Sequence, residues 1–317
     1  MKSVTYKAFP SIPVIFVSGV RKNSMTPIHN TMGMAVTDVK EQTRTETKVT
    51  LTEKPGIEFW LDRKKIDLAK QNPLNKVIGF FTRKLGQRGL KIESRNYNIY
   101  SGSSDSGMAA LVFALNDLMK TRYALQKLAE IAMLGSESSI RSVYGGISAI
   151  LVKGLRKAKG KLIAPADQLR DIHLFALTFD YSSRYSAKEI FAINQSNPQF
   201  KYRLAMIHFW ENQIMRGLKN KNYWQVFKAV QENVFNAHYL FECSGKRMRR
   251  KDMTNACIDV DEIRLEKDLP AFWTAGGGKV ITVISWGTNA QKVRKELMKR
   301  GWKPKDYKIA PGPVKIK

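Results

Sequence analysis

Between residues 11 and 61 the apolar positions fall either in short runs or in alternation with polar ones, and both are strand patterns. Residues 12–17 form one such run and residues 32–37 another, while Thr43, Thr45, Thr47, Val49 and Leu51 mark one face of a third strand. The spacing then lengthens. Val77, Ile78, Phe81 and Leu85 follow Pro73, a residue suited to the first turn of a helix, and Gly86 closes the segment. Residues 90–94 return to a strand pattern. After the small polar run Ser101-Gly102-Ser103-Ser104-Asp105-Ser106-Gly107, a helical stripe is carried by Met108, Leu111, Val112, Leu115, Leu118 and Met119.

Further helices are predicted over about 122–134, ended by Gly135, and from just after Ser138 past Arg141 toward Ile150. The basic stretch 153–165, which contains Gly and Pro, predicts a boundary between halves, with domains at 1–160 and 161–317. Beyond it, 172–179 reads as a buried strand, 202–218 and 223–240 as helices, and 280–284 as a β-rich run after Gly276-Gly277-Gly278. A helix over about 290–300 and a short strand close the chain. Strands and helices mixed in both halves make the class α+β. No repeat or low-complexity segment interrupts this order.

The chain has 317 residues, of which 43% are hydrophobic and 10% aromatic, enough to bury a core and too apolar for a mainly disordered polypeptide. Charge changes the picture more. With 54 Lys+Arg against 27 Asp+Glu the net charge is +27, which predicts anionic partners: nucleic acid, an acidic membrane surface or phosphorylated metabolites. The basic residues are densest at 153–161, 246–251 and 292–308, without a detachable tail, so a solvated basic surface also accounts for them. Cys243 and Cys257 form no CxxC pair and only four His are present, which supports neither a disulfide framework nor a structural zinc site. Nowhere do 18 apolar residues run together, and a soluble cytoplasmic protein is expected.

Three segments could carry chemistry. A strand, the Ser101–Gly107 run and a helix start bring free backbone N–H groups around one point, an arrangement that binds phosphate. An ordinary capped helix has the same composition, and no Gly-Lys-Ser/Thr of a Walker loop follows. The second segment runs from Ser136 to Gly146 and sets Glu137 and Arg141 four positions apart at a helix start. That spacing suits a helical ion pair of about 0.2–0.5 kcal/mol, or an Arg fork for a carboxylate or phosphate beside a Glu that accepts from a hydroxyl. The third is Thr274-Ala275-Gly276-Gly277-Gly278, either a close approach to backbone or a plain loop. His208 and His238 sit within helical patterns and read as structural residues rather than ligands.

In order along the chain, these segments resemble the diphosphomevalonate decarboxylase branch of the superfamily that contains galactokinase, homoserine kinase and mevalonate kinase (the GHMP kinases). Residues Ile12 to Gly19 are similar to the family's first strand, Thr26-Pro27-Ile28-His29 to its Leu-Pro-Ile-Asn turn, and Ser101 to Gly107 to its phosphate loop. Arg141-Ser142-Val143-Tyr144-Gly145-Gly146 is similar to Arg-Ser-Leu-Tyr-Gly-Gly, Phe235-Asn236-Ala237-His238 to a Gln-Phe-His segment, residues 273–276 to Phe-Asp-Ala-Gly, and Pro311-Gly312-Pro313 to a C-terminal Pro-Gly-Pro. The resemblance implies a two-domain GHMP-kinase-like fold: a ribosomal S5-like N-terminal half, a ferredoxin-like C-terminal half, and a site between them.

Four positions depart from the decarboxylases. Phe16 and Val20 stand where they carry Lys, Thr274 stands where they carry the catalytic Asp, and Glu137 replaces Gly. With these changes the chain resembles the archaeal mevalonate 3-kinases, which phosphorylate the tertiary hydroxyl without decarboxylation. That resemblance implies ATP and Mg²⁺ as cofactors, mevalonate as partner substrate, and no nucleic acid or membrane partner; a homodimer is possible. It implies Gly102, Ser103, Ser104, Asp105, Ser106 and Gly107 around the ATP phosphates; Phe16, Ser138, Arg141 and Thr274 against mevalonate; and Glu137, Ser101 and Arg141 at the reacting end. A decarboxylase of an already phosphorylated mevalonate is the nearest rival, favoured by Arg141 and the Pro-Gly-Pro and opposed by the missing Asp. The charge keeps a nucleic-acid-binding protein open as another class, although no Arg-rich motif with interleaved aromatics supports it.

Overall fold

The computed structural model describes residues 2–21, 26–83, 85–154, 157–180, 185–277 and 279–316. Gly278, the last residue of the expected glycine run, lies outside them.

Among the described residues two sheets form. The first contains β1 (Ser3–Ala8), β4 (Arg44–Thr52), β5 (Gly56–Leu61), β6 (Lys64–Ile66), β7 (Gly89–Tyr97) and β14 (Val314–Lys315), in the order β14-β1-β4-β7-β5-β6. Only β5 and β7 run parallel. Alternation explains β4: Thr45, Thr47 and Val49 are buried on the face that meets α2 (Ser103–Leu118). The helices α1 (Asn72–Thr82), α2 and α3 (Leu125–Met133) close a core over this face, with Val77, Ile78, Phe81, Leu111 and Leu115 buried as the period of the stripes requires. β1 was not expected from the sequence pattern.

The second sheet follows the path β11-β12-β10-β13-β3-β8-β9, with β2 added on β3. Its strands are β2 (Ser11–Ile15), β3 (Thr31–Asp38), β8 (Ile147–Lys153), β9 (Lys157–Ala164), β10 (Ile172–Thr178), β11 (Phe272–Ala275), β12 (Val280–Trp286) and β13 (Lys305–Ile309). β2 pairs with residues 32–35 of β3 and β13 with residues 36–38, so strands from the beginning and end of the chain sit side by side. The helices α6 (Phe200–Lys219) and α7 (Tyr223–Glu242) cover this sheet around Ile207, Trp210, Ile214, Phe227 and Val230. Three more helices, α5 (Ala187–Ser196), α8 (Lys251–Lys267) and α9 (Asn289–Lys299), complete the C-terminal part, α5 opening with a capping box of Ser186 and Glu189.

Two expectations change. The helix predicted from Ser138 toward Ile150 is only α4 (Ile140–Tyr144), because the chain turns at Gly145 and Gly146, both at positive φ, and the β-branched run after them enters the sheet as β8. The basic stretch 153–165 is not a linker: most of it is β9, paired with β8 along its length, so position 160 lies inside a hairpin strand.

Candidate active site

A cleft of about 440 Å³ opens where β2, the start of α2, the 136–141 segment, α5 and the end of β11 meet. Its floor is the N-terminus of α2. Gly102 caps that helix in the left-handed conformation, with φ 75°, and a side chain there would run into the Ser11 backbone. The helix begins at Ser103, five residues earlier than its apolar stripe. Ser103 and Ser104 are exposed, and the N–H groups of Ser103, Ser104 and Asp105 have no partner within the helix. The N–H of Ser106 is already committed to the Gly102 carbonyl at 3.3 Å.

The expected phosphate run therefore divides. Ser101, Gly102, Ser103, Ser104 and Asp105 line the cleft, whereas Ser106 and Gly107 do not. Ser106 is fully buried, its hydroxyl 2.7 Å from that of Thr45 in the N-terminal core. Asp105 faces inward, 3% exposed, and accepts from Ser11 Oγ at 2.6 Å and from Ser136 Oγ and Ser138 Oγ at 2.7 Å each. Ser138 thus reaches the cleft with its hydroxyl donating to Asp105.

Glu137 and Arg141 form a second wall, with Glu137 held next to the start of α2 by Ser136 and Ser138. No ion pair joins Glu137 to Arg141. Arg141 is buried, and Nη2 donates to the Ile15 carbonyl at 3.1 Å, while Nε has no hydrogen-bond partner. Burial pushes its guanidinium down from its ordinary range, opposed by the nearby Asp105 and Glu137 charges. For Glu137, burial and then the Asp105 carboxylate raise the acid to about 7, against the opposing pull of its own backbone N–H and of Arg141. An acid poised there changes charge near neutral pH.

The third wall is apolar. Phe16 and Val17 continue from β2 and pack with Ile190, Phe191, Ala237 and Phe241. Phe16 is held by its backbone: its N–H donates to Asn233 Oδ1 at 2.9 Å, and its carbonyl accepts from Arg203 Nη2 at 3.1 Å. Behind its ring lies buried His238, edge-on at 5.8 Å, which burial lowers to about 3 so that the imidazole stays neutral. His208, by contrast, is on the exposed face of α6. Ser101 stands beside Gly276 at the mouth, and Gly276 and Gly277 line the cleft after β11. Thr274 does not reach it: the side chain is fully buried, and its hydroxyl donates to the Pro13 carbonyl at 2.7 Å.

Sequence reasoning missed Ser11, Pro13, Val17, Tyr185, Ala187, Ile190 and Phe191 as cleft residues, and Arg203 and Asn233 as supports of Phe16. Pro13 and Val17 lie in the segment similar to the family's first strand but were not singled out there; the others carry no local motif, and only the tertiary fold brings them together. Among the described residues no three His, Cys, Asp or Glu side chains converge as a metal site.

Comparisons with known proteins agree with this architecture. Residues 8–159 match the diphosphomevalonate decarboxylase-like N-terminal domain. The chain is 26% identical to the mevalonate-3-kinase of Picrophilus torridus over 306 residues, 93% of this chain and 92% of the relative. It is 24% identical to the mevalonate 3-kinase of Thermoplasma acidophilum over 297 residues, 92% and 91% of the two chains. The crystal structure of the Thermoplasma acidophilum enzyme with mevalonate 3-phosphate and ADP bound superimposes with a TM-score of 0.88 at 22% identity, covering 100% of this chain and 99% of that one. Mevalonate diphosphate decarboxylase from Staphylococcus aureus superimposes with a TM-score of 0.86 at 21% identity, covering 100% and 98%. The fold is the one these kinases and decarboxylases share.

Proposed function

We propose that this chain, whose residues 8–159 match a diphosphomevalonate decarboxylase-like N-terminal domain and whose full length resembles the mevalonate 3-kinases, transfers the γ-phosphoryl group of ATP to the tertiary 3-hydroxyl of mevalonate. The observation that carries this reading is that one cleft brings Glu137 and Arg141 beside the open N-terminus of α2, with an apolar Phe16 wall where a phosphate-binding Lys would favour a decarboxylase substrate.

In this reading the free N–H groups of Ser103, Ser104 and Asp105 receive the ATP phosphates at the positive end of α2. Mg²⁺ would arrive as part of Mg·ATP, with phosphates supplying most of its ligands and charge neutralisation as its contribution; the exposed Ser103 and Ser104 hydroxyls are the residues of the cleft that would help hold it. Arg141 holds the mevalonate carboxylate with the donors that Ile15 leaves free. Glu137 and Ser101 accept from and orient the 3-hydroxyl. Its oxygen bonds to the γ-phosphorus as the bond to ADP breaks and its proton passes to the Glu137 carboxylate; a loose transition state lets that transfer come late, so orientation and charge stabilisation do most of the work. Thr274, bonded to Pro13 outside the cleft, offers no carboxylate for a following loss of carbon dioxide. We place the reaction in the cytoplasm.

The test is to incubate the purified protein with Mg·ATP and mevalonate, identify products by phosphorus NMR and mass spectrometry, and trap any carbon dioxide. ADP with phosphate on the tertiary carbon and no carbon dioxide is expected; carbon dioxide from a phosphorylated mevalonate, with no turnover of mevalonate itself, would overturn the reading. Glu137→Gln is expected to lower turnover far more than it weakens ATP binding.

A further inference from the structure

An acidic residue in the first turn of a phosphate-facing helix is a liability unless its charge is used elsewhere, because it competes with the ligand for the positive helix end. Asp105 occupies that place in α2, and both its oxygens are engaged. Oδ2 accepts a hydrogen bond from Ser11, the first residue of β2; Oδ1 accepts from Ser136 and Ser138, which flank Glu137. Ser136 Oγ also lies 3.2 Å from Ser104 Oγ. Three short hydroxyl–carboxylate bonds, each strengthened by the charge, thus converge on one buried group from two separate segments.

We propose that the Asp105 side chain is a positioning group rather than a nucleotide contact: its carboxylate ties the Glu137-bearing turn and the start of β2 to the N-terminus of α2, so that the ATP end and the acceptor end of the cleft hold one register. The proposal rests on the kinase reading of the site. Asn in its place keeps the shape, but loses the charge and turns one acceptor into a donor facing hydroxyls. The charge matters to Glu137 as well. The groups that act on Glu137 are Asp105 from α2, Arg141 from α4 and its own N–H; of these only Asp105 disfavours its ionisation.

Three measurements on the full chain test this. With wild-type kinetics in hand, Asp105→Asn is expected to raise KM for mevalonate at least fivefold, leave KM for ATP within twofold, and move the acid limb of kcat/KM down by about one pH unit, the shift typical of removing a like charge at close range. The double variant S136A/S138A, which keeps the charge, is expected to raise KM for mevalonate without moving the limb. Wild-type KM and an unmoved limb in Asp105→Asn would overturn the proposal, as would a wild-type KM in the double variant should Asp105→Asn not fold. Hydrogen exchange of the 136–138 amides in the ligand-free protein needs no turnover. It is expected to be more than tenfold faster in either variant, and unchanged exchange overturns the tie, whereas a wild-type protein inert toward mevalonate overturns the kinase reading and leaves exchange to judge Asp105.

Discussion

Gly33 in β3 leaves the space that the Arg141 side chain fills: a β-carbon at residue 33 would stand 2.3 Å from Arg141 Cδ, 2.7 Å from its Nε and 2.9 Å from the Ile12 carbonyl oxygen. A glycine in a central strand costs stability, and here it admits the buried guanidinium to the cleft. Gly33→Ala cannot be absorbed by moving Arg141 alone, because the Ile12 backbone blocks the other side. We expect a loss of about 1–3 kcal/mol in denaturant unfolding and a rise of at least tenfold in KM for mevalonate. A variant with wild-type KM would remove Arg141 from substrate binding.

The raised Glu137 acid makes activity pH-dependent near neutrality. If the carboxylate accepts the 3-hydroxyl, kcat/KM falls as pH drops through about 7, and Glu137→Gln loses this limb. The sign for stability is opposite to that of a salt-bridged carboxylate. A folded-state value above the unfolded one favours the native state in acid, and that contribution disappears as pH rises through 7. Glu137→Gln should therefore be more stable than wild type at pH 8 by about 1–3 kcal/mol, and the gain should vanish below pH 4, as measured by urea unfolding across pH.

Two buried imidazoles act the other way. His29 and His238 are both lowered to about 3, chiefly by burial, so the unfolded chain binds protons that the native one refuses. Stability is complete above the ordinary histidine value of about 6.5 and declines as pH falls from there toward 3. His238→Leu should flatten this acid slope in melting temperatures between pH 7 and pH 4; an unaltered slope would mean that His238 is protonated in the native protein.

Thr274 offers a test of the missing second step. Thr274→Val removes the hydrogen bond to Pro13 and should cost about 1 kcal/mol. Thr274→Asp sets a carboxylate against that same carbonyl oxygen, an unpaired buried charge, and should be strongly destabilised without gaining carbon dioxide release in the trapping assay. Release by this variant would show that the position alone separates the two chemistries.

The strands and helices that the sequence announced are those whose faces differ clearly in polarity, such as β4 with Thr45, Thr47 and Val49, or α1 with Val77, Ile78 and Phe81. The start of α2 was hidden because Ser103 to Gly107 carry no apolar side chain; Asp105 and Ser106 are buried through hydroxyl and carboxylate partners that lie 31 to 94 positions away. α8 was hidden in another way, its charged residues leaving a weak stripe around Met253, Cys257 and Val260. In the cleft, Glu137 and Arg141 were marked by their spacing at a helix start and given roles by family resemblance, and Phe16 was found through the resemblance alone, whereas Ile190 and Phe191 had nothing but ordinary helical apolarity to mark them. The likeness of Pro311-Gly312-Pro313 to the family has a structural cause: Pro311 bridges Gly145, and Gly146 donates to the Ala310 carbonyl at 2.8 Å.

That last contact sets a timetable for the nascent chain. Apart from Tyr185, α5 and the two glycines after β11, the residues that line the cleft have been synthesised once residue 141 is made, yet the turn behind Arg141 is braced by residues 310 and 311, β3 waits for β13, and β1 waits for β14. Closing such distant pairs is slow, and it cannot begin before those partner residues have been made. A growing chain therefore carries an unfinished cleft until those residues emerge, and breaking the contacts of residues 310 and 311 should cost the protein its activity although neither touches the cleft.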